Sequence, residues 1–344
     1  MDNPFNTTFG IAPNNYINRI KESQKIIDDF SSESPSNYVY LITGLRGCGK
    51  TVLLSSIADK FNNDDNWIVV DPGPKDNILE NIASEIYEVG KLKKLFLKSE
   101  FSFSFHGLTF SLEGKEPVTS AITLIRKMLD YLSKKNKRIL ITIDEVDNSD
   151  QMKYFIQAYQ TLLRQKYKIM LLMTGLYENI SKLQEDKSLT FLYRATKIYL
   201  EPLNINSIAS SYKNNFKIDF DLALSLAKQT KGYAYAYQLL GYLLYQNKVK
   251  KLEEVEIDFD QCLSEYVYEK IYFEMSEKEK EIIESIPSNE KIKVSELTSL
   301  CNINPKILSV YRDRLIKKGI LFSPSYGYLE FSLPRFYEFV QSKI

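Results

Sequence analysis

The sequence predicts an α/β domain built on a parallel sheet, followed by a helical region and a C-terminal module of three helices and a hairpin. Short β-branched and aromatic runs such as YVYLI at 38–42 alternate with segments of helical apolar spacing, as in βαβ units. The segment DLALSLAKQTKGYAYAYQLLGYLLYQ at 221–246 is helical in pattern. From about residue 276 three helical patterns precede the strand pair LFSPSYGYLEFSLP.

Length and composition limit the classes of protein. The 344 residues fit two or three domains, and 44% hydrophobic with 26% charged residues is typical of a globular chain. No apolar run approaches the roughly 20 residues that cross a bilayer, and the N-terminus lacks a signal peptide, so we expect a soluble, cytoplasmic protein without membrane contact. Three distant cysteines and a single histidine, His106, exclude a disulfide framework and a His-based metal cluster.

The segment LITGLRGCGKT at 41–51 joins a predicted strand to a predicted helix. It fits the pattern G-x-x-x-x-G-K-[ST] position for position. The loop residues are Gly44, Leu45, Arg46, Gly47, Cys48, Gly49, Lys50 and Thr51, and Val52 continues into the helix. Glycines let backbone N–H groups turn onto phosphate oxygens, and the helix N-terminus adds partial positive charge.

This loop predicts a site for a nucleoside triphosphate with Mg²⁺. Lys50 is expected to reach the β and γ phosphates, and the Thr51 hydroxyl is expected to bind the metal. Cys48 is expected to contribute its backbone N–H rather than a reactive thiol.

Two acids end the apolar run RILITIDEVDN at 138–148. They follow a predicted strand at its carboxyl end, where open α/β sheets bind ligands. Asp144 is expected to hold Mg²⁺ through water, and Glu145 to polarise the attacking water. This pair favours hydrolysis of ATP over a GTPase or a nucleotide kinase.

Between and after the glycine loop and the paired acids, predicted strands and helices continue to alternate. Strands are predicted at 67–73 and 168–176, and helices at 75–90, 118–135 and 149–166. The stretch FSFSFHGLTFSLEG at 101–114 alternates around a glycine and predicts an inserted β-hairpin. Thr174 lies at the end of its strand, and Arg194 precedes a last short strand.

These motifs resemble those of the AAA+ P-loop ATPases, and most closely the origin-recognition and replication-initiator clade. The resemblance implies an ATPase domain over residues 1–202, a helical lid over 203–258 and a winged-helix domain over 259–344. It also implies that the opening NPFNTTFGIAPNNYINRIKE contacts adenine, with Arg19 at the basic position.

The resemblance assigns further roles. Thr174 occupies the sensor-1 position, where a polar side chain aligns water near the γ phosphate. Arg194 matches the finger that reaches a neighbouring subunit's nucleotide, which implies a homo-oligomer in the ATP state; the alternative is a surface arginine. The sensor-2 helix carries tyrosines and alanines where a cation is usual, with Lys231 the nearest, which favours a slow ATP-driven switch.

The C-terminal pattern of three helices and a hairpin is that of a winged helix, whose third helix can enter the major groove of DNA. From residue 301 onward seven basic residues face three acidic ones, a local charge of +4 in a chain of net charge +1. The candidate DNA contacts are Lys306, Arg312, Arg314, Lys317 and Lys318. Winged helices also make protein contacts, so that alternative stays open.

Two hypotheses follow. The first is an ATPase that couples its nucleotide state to binding of double-stranded DNA, as an initiator-like protein or one serving a mobile element or a defence system. The second is a signalling switch of the STAND type, in which the nucleotide gates oligomerisation and the winged helix packs inward. The basic third helix favours the first, and the absent sensor-2 cation favours the second.

Overall fold

The computed structural model of the protein describes residues 3–8, 10, 13, 15–74, 77–89, 102–105, 108–110, 117–118, 120–288 and 290–344. The strands are β1 (Val39–Thr43), β2 (Trp67–Val70), β3 (Ser102–Phe105), β4 (Leu108–Phe110), β5 (Pro117–Val118), β6 (Arg138–Ile143), β7 (Ile169–Gly175), β8 (Thr196–Tyr199), β9 (Ile292–Lys293), β10 (Leu321–Phe322) and β11 (Tyr328–Phe331).

The α-helices are α1 (Ile20–Ser31), α2 (Lys50–Asn62), α3 (Ile78–Glu88), α4 (Ala121–Ser133), α5 (Asp150–Arg164), α6 (Tyr177–Glu185), α7 (Ile205–Phe216), α8 (Phe220–Gln229), α9 (Ala234–Asn247), α10 (Glu256–Leu263), α11 (Glu269–Phe273), α12 (Glu277–Glu284), α13 (Val294–Leu300), α14 (Pro305–Lys318) and α15 (Phe336–Gln341). Short 3₁₀ turns cover Lys187–Leu189, Leu192–Arg194 and Leu252–Glu254, and a π-helix covers Ser264–Tyr268.

The chain divides into two compact units. The sheet unit comprises Ile20–Thr43 and Leu53–Ile198, and the helical unit comprises Met1–Arg19, Gly44–Val52 and Tyr199–Ile344. The predicted domain boundaries after residues 202 and 258 stay predictions.

A five-stranded sheet in the order β2-β6-β7-β1-β8 organises the sheet unit. The pairs β2–β6, β6–β7 and β7–β1 are parallel, so the carboxyl ends of these strands lie at one edge. Every residue of β1, β6 and β7 is buried, which explains why these strands read as continuous apolar runs. Helices α3, α4 and α5 contribute their apolar faces to the same core. The predicted α/β class is confirmed.

The inserted segment forms a second, small sheet in the order β4-β3-β5. Strands β3 and β4 pair antiparallel, as the predicted hairpin requires, while His106 and the remainder of the predicted insert lie outside the described residues. Val118, which the sequence places in a helix, instead pairs with β3 as part of β5, and the helix begins at Ala121. Pro117 and the β-branched Val118 suit an extended backbone better than a helix.

The helical unit packs its own core around α7, α8 and α9. Phe5 from the N-terminal segment lies against Gly241 of α9 so closely that a Cβ there would be 2.4 Å from its ring. The tyrosines of the predicted lid helix, Tyr233, Tyr235 and Tyr237, are buried in this core, as the interpretation of their stripe as core packing predicts.

The C-terminal part of the helical unit contains the predicted helices as α12, α13 and α14, followed by the predicted strand pair β10–β11. Helix α14 begins with Pro305 after an Asn304 cap and ends at Gly319, whose φ is 84°. Strand β9, which the sequence does not predict, pairs antiparallel with β11. Two residues are too few for an alternating pattern to be recognised, so only the pairing partner defines this strand.

Lys318 differs from the sequence-based expectation of an exposed DNA contact. It is 8% exposed, and its Nζ lies 2.9 Å from the carboxylate of Glu279, which is 1% exposed. Burial alone would raise the pKa of Glu279, but hydrogen bonds from Lys318 and from the backbone and side chain of Ser276 hold that pKa below its usual value. The ion pair joins α14 to α12, so the Lys318 ammonium is engaged inside the protein.

No helix in the part of the chain that the structure describes is both long and apolar enough to cross a bilayer.

Candidate nucleotide-binding site

The loop Gly44–Gly49 connects the end of β1 to the first residue of α2. Gly47 and Gly49 have φ values of 73° and 95°, a left-handed backbone that favours glycine. A Cβ on Gly47 would lie 2.5 Å from the hydroxyl oxygen of Tyr233, so the space around this residue also requires glycine.

Lys50 lies over the loop that precedes it. Its side chain is largely buried, at 9% exposure of the residue, and its Nζ donates hydrogen bonds to the carbonyl oxygens of Gly44 and Leu45, at 3.2 and 2.8 Å. A buried ammonium held against main-chain oxygens is placed to exchange these acceptors for phosphate oxygens.

Three successive loop carbonyls accept hydrogen bonds from outside the loop. The Tyr233 hydroxyl donates to the oxygen of Arg46 at 2.6 Å, and the backbone N–H of Tyr235 donates to the oxygen of Gly47 at 3.0 Å. The Arg19 guanidinium donates to the oxygen of Cys48 at 3.0 Å. Arg19, predicted as an adenine contact, is therefore placed beside the phosphate loop.

The N–H of Cys48 donates within the loop to the Leu45 oxygen at 3.3 Å. Its predicted contribution to phosphate binding stays a prediction. The Cys48 residue is 7% exposed, so its thiol is buried.

Thr174 links the two acids that follow β6. Its hydroxyl donates to the carboxylate of Asp144 and accepts the backbone N–H of Glu145 at 3.2 Å. The backbone oxygen of Thr174 accepts the N–H of Val146 at 2.8 Å. The structure therefore brings together Asp144, predicted as a metal ligand, with Glu145 and Thr174, predicted as catalytic residues.

Glu145 has a left-handed backbone, with φ of 55°. Such a conformation is strained in a residue other than glycine and persists only where neighbouring contacts impose it. Here the bonds of its N–H to Thr174 and to the Asp144 carboxylate at 3.1 Å impose it, and the residue is exposed.

Asp71, at the same sheet edge, and Glu85 of α3 are acids that sequence reasoning did not single out. Asp71 follows β2, the neighbour of β6, and its N–H donates to the Glu85 carboxylate at 2.7 Å. Burial raises the pKa of Asp71, a hydrogen bond from Thr142 partly opposes that rise, and the charge of Asp144 adds to it. Burial also raises the pKa of Glu85. The position of Asp71 directly after a strand is the feature that could have identified it.

The other predicted contacts are distributed over both units. Arg194 ends a 3₁₀ turn just before β8 and is exposed. Lys231, the cation nearest the sensor-2 position, donates to the Phe331 oxygen at 3.0 Å and lies 3.5 Å from the Glu330 carboxylate. Lys231 therefore binds β11 of its own unit.

The basic residues of α14 differ in their exposure to solvent. Lys306, Arg314 and Lys317 are exposed, while Arg312 is partly buried and pairs with the adjacent Asp313 at 2.9 Å. With Lys318 buried, the exposed basic face of α14 is smaller than the sequence suggests.

Each side chain predicted as a metal ligand has the chemistry that Mg²⁺ prefers. The Thr51 hydroxyl and the Asp144 carboxylate are hard oxygen ligands, and Mg²⁺ commonly takes only one or two protein ligands beside phosphate oxygens and water. Within the described residues, no group of three or more His, Cys, Asp or Glu side chains could hold a metal ion.

Comparison with known proteins identifies the class. Residues 16–217 match the family described as an ATPase domain predominantly from Archaea, and the chain belongs to that family. Residues 265–340 match a second family, described as a domain of unknown function. No curated protein matches the chain.

Solved structures share the fold. The Walker-type ATPase PABY2304 of Pyrococcus abyssi is 14% identical, with a TM-score of 0.67, and the match covers 95% of this chain and 96% of that one. The ORC2 protein of Aeropyrum pernix, in its ADPNP-ADP complexes, is 15% identical, with a TM-score of 0.59 and coverage of 98% and 96%. The family match confirms the predicted ATPase domain, and these solved structures share its fold. The initiator clade stays a prediction.

Proposed function

We propose that this protein binds ATP with Mg²⁺, hydrolyses it, and couples its nucleotide state to the binding of double-stranded DNA by its C-terminal region. The observation that carries the proposal is the phosphate-binding loop with Lys50 lying over it. A second observation, within the sheet unit, is the linked group Asp144, Glu145 and Thr174 at the carboxyl ends of β6 and β7. Membership of an ATPase family supports the same assignment.

The chemistry divides among these residues. Mg²⁺, when bound, supplies positive charge to the β and γ phosphates; Thr51 and Asp144 would hold it. The Lys50 ammonium binds phosphate oxygens, and Glu145 accepts a proton from the attacking water. The Thr174 hydroxyl keeps both acids in place, and Arg194 of a neighbouring copy stabilises transition-state charge in an ATP-state homo-oligomer. We propose that the chain has the three predicted domains, 1–202, 203–258 and 259–344, and that the last acts as a winged helix.

Two contacts join the phosphate-binding loop to the C-terminal part of the helical unit. The Arg46 guanidinium lies 3.1 Å from the Glu274 carboxylate, which follows α11. The Leu45 side chain lies beside Gly319 at the end of α14, where an added Cβ would be 3.1 Å from it. A phosphate bound by this loop would compete with Glu274 for Arg46, which provides a direct route from nucleotide to C-terminal region.

We predict that Glu274→Gln weakens this coupling. The substitution removes the carboxylate charge that holds Arg46, and exposed ion pairs contribute about 0.2–1 kcal/mol. The ratio of DNA Kd values with and without ATP should therefore move about twofold to fivefold toward one, measured by fluorescence anisotropy. The matched control, Glu253→Gln, lies in an exposed 3₁₀ turn and should leave the ratio unchanged. An unaltered ratio in Glu274→Gln would reject this route.

We further predict that DNA binding depends on the exposed face of α14. Replacing the exposed residues Lys306, Arg314 and Lys317 with Glu should weaken binding of a duplex at least tenfold at low salt. It should also reduce the slope of log K against log salt by about 0.9 for each phosphate that the variant no longer neutralises. The measurement is a duplex titration at several salt concentrations, with and without ATP.

The matched control changes the same number of charges elsewhere. Lys21, Lys25 and Lys60 are exposed on α1 and α2, and their replacement by Glu should alter binding no more than twofold. An equal loss of affinity in both triple variants would mean that the effect comes from net charge, and that α14 does not bind the duplex.

The STAND-type switch is the second candidate function. The engagement of Lys231 with β11 favours it, because this cation binds the C-terminal part of its own unit. The contacts of Leu45 and Arg46 with that part also fit a C-terminal region that packs inward. Wild-type protein that binds no duplex at moderate salt, but changes oligomeric state with ATP, would favour the switch over the DNA-coupled ATPase.

A further inference from the structure

We infer that the Tyr233 hydroxyl is a positioning group for nucleotide binding, which orients the peptide between Arg46 and Gly47 for phosphate. The inference rests on the proposed binding of ATP by this loop. It assigns this role to a neutral hydroxyl on the residue that caps the N-terminus of α9. The nearest cation, Lys231, binds the Phe331 oxygen instead.

The argument begins with peptide geometry. In a trans peptide the C=O and the following N–H point in opposite directions, and no cis peptide occurs in the described chain. A donor that holds the oxygen of Arg46 therefore also directs the N–H of Gly47 the other way. The bonds to the oxygens of Gly47 and Cys48 act likewise on the next two peptides.

This orientation matters for an anion. A loop carbonyl turned toward phosphate would repel it, whereas an N–H turned toward phosphate donates to it. Glycine at positions 47 and 49 lets these peptides rotate freely, so the loop needs external contacts to hold them. Tyr233, Tyr235 and Arg19 supply those contacts, and only Tyr233 does so with a side chain that is also buried in the core.

Tyr233 is itself held firmly. Its residue is 5% exposed, and its backbone N–H donates to the Thr230 oxygen at 2.8 Å. Gly232, with φ of 74°, precedes it, and a Cβ there would lie 2.5 Å from the Leu203 oxygen. Burial raises the pKa of the Tyr233 hydroxyl well above its ordinary value, so the group remains an O–H donor over the working pH range.

The position of the hydroxyl also fits the loop closely. Its oxygen lies only 2.5 Å from the place where a Cβ of residue 47 would stand. Loop and hydroxyl are therefore complementary: glycine permits the close approach, and the hydroxyl then restricts the glycine's peptide. The loop is held in place before any ligand arrives, which lowers the ordering cost of binding.

The test is Tyr233→Phe, which keeps the buried ring and removes the donor. We expect Kd for ATP and for ADP, in the presence of Mg²⁺, to rise about tenfold by titration calorimetry. The matched control is Tyr212→Phe, since Tyr212 is equally buried in the same core and donates to the Tyr237 oxygen at 2.7 Å, away from the loop. This control should bind ATP within twofold of wild type.

Thermal unfolding without nucleotide distinguishes a positioning role of the Tyr233 hydroxyl from a role in protein stability alone. Both variants lose one buried hydrogen bond and should show a similar decrease in Tm, while only Tyr233→Phe loses affinity. Should Tyr233→Phe fail to fold, Tyr233→Leu, which also removes the donor to the Arg46 oxygen and keeps an apolar side chain, carries the same test. Wild-type affinity in a folded Tyr233→Phe, or equal losses in both Tyr variants, would overturn the inference while leaving ATP binding intact. Wild-type protein that binds no ATP would overturn the proposed function as well.

Discussion

Lys50→Ala is expected to weaken ATP binding by about 30-fold or more. The Lys50 ammonium is largely buried and donates to the Gly44 and Leu45 oxygens, so it is already desolvated where phosphate would bind. Truncating one member of a buried, hydrogen-bonded charge pair costs about 2–5 kcal/mol, which corresponds to this loss of affinity. The measurement is titration calorimetry with ATP and Mg²⁺.

Lys60→Ala is the control for this variant. Lys60 lies in the last turn of the same helix, α2, and is exposed. It should bind ATP within twofold of wild type. Because the Lys50 amine also bonds the loop, the Tm of each variant without nucleotide should be recorded. A folded Lys50→Ala protein that binds ATP within fivefold of wild type would remove the phosphate role of this loop.

Glu145→Gln is expected to keep ATP and to lose its turnover. The amide retains the size of the side chain and the backbone bonds to Thr174 and Asp144, so binding should change no more than threefold. It cannot accept a proton from water, and loss of a general base costs about 10²–10⁴-fold in rate. Phosphate release under saturating ATP measures this effect.

Glu185→Gln makes a suitable comparison, because Glu185 is an exposed acid at the end of α6 in the same sheet unit. Its rate should equal that of wild type. Should Glu145→Gln hydrolyse ATP normally, the base is a different group, and Asp71, at the end of the neighbouring strand β2, is then the first acid to replace.

These two variants answer different questions about the proposed cycle. Lys50→Ala removes the nucleotide, whereas Glu145→Gln holds the protein in its ATP state. The Arg46–Glu274 contact should therefore respond to both, but in opposite senses. DNA binding by the two variants, compared at one salt concentration, would show whether ATP or ADP favours the DNA-bound form.

The sequence was a good guide to the sheet. Strands β1, β6 and β7 are covered on both faces, so each one reads as a mainly apolar run. Turn residues and polar strand ends then located the Gly44–Thr51 loop, the acids after β6 and Thr174. It was a poor guide to β9, whose two residues are a strand only because β11 lies beside them. It also misplaced Val118, whose pairing with β3 outweighed its helical surroundings.

At the candidate site, the sequence did not show which groups the side chains bond. Nothing local to Tyr233 indicates that its hydroxyl holds the Arg46 oxygen, 187 residues away in the chain. Lys318 has the composition of a basic surface helix around it, yet Glu279 of α12 draws it into a buried pair. Lys231 likewise donates to the Phe331 oxygen of β11, a contact that its neighbours in the sequence do not indicate.

By itself the sequence determined the class of the protein, because the loop and the paired acids are short patterns whose chemistry depends on neighbouring residues. Only the tertiary structure decided which groups hold the loop in shape and which cations remain at the surface. The physical reason is that hydrogen bonds and ion pairs depend on distances of about 3 Å between atoms, whatever the separation along the chain. Folding alone brings such atoms together.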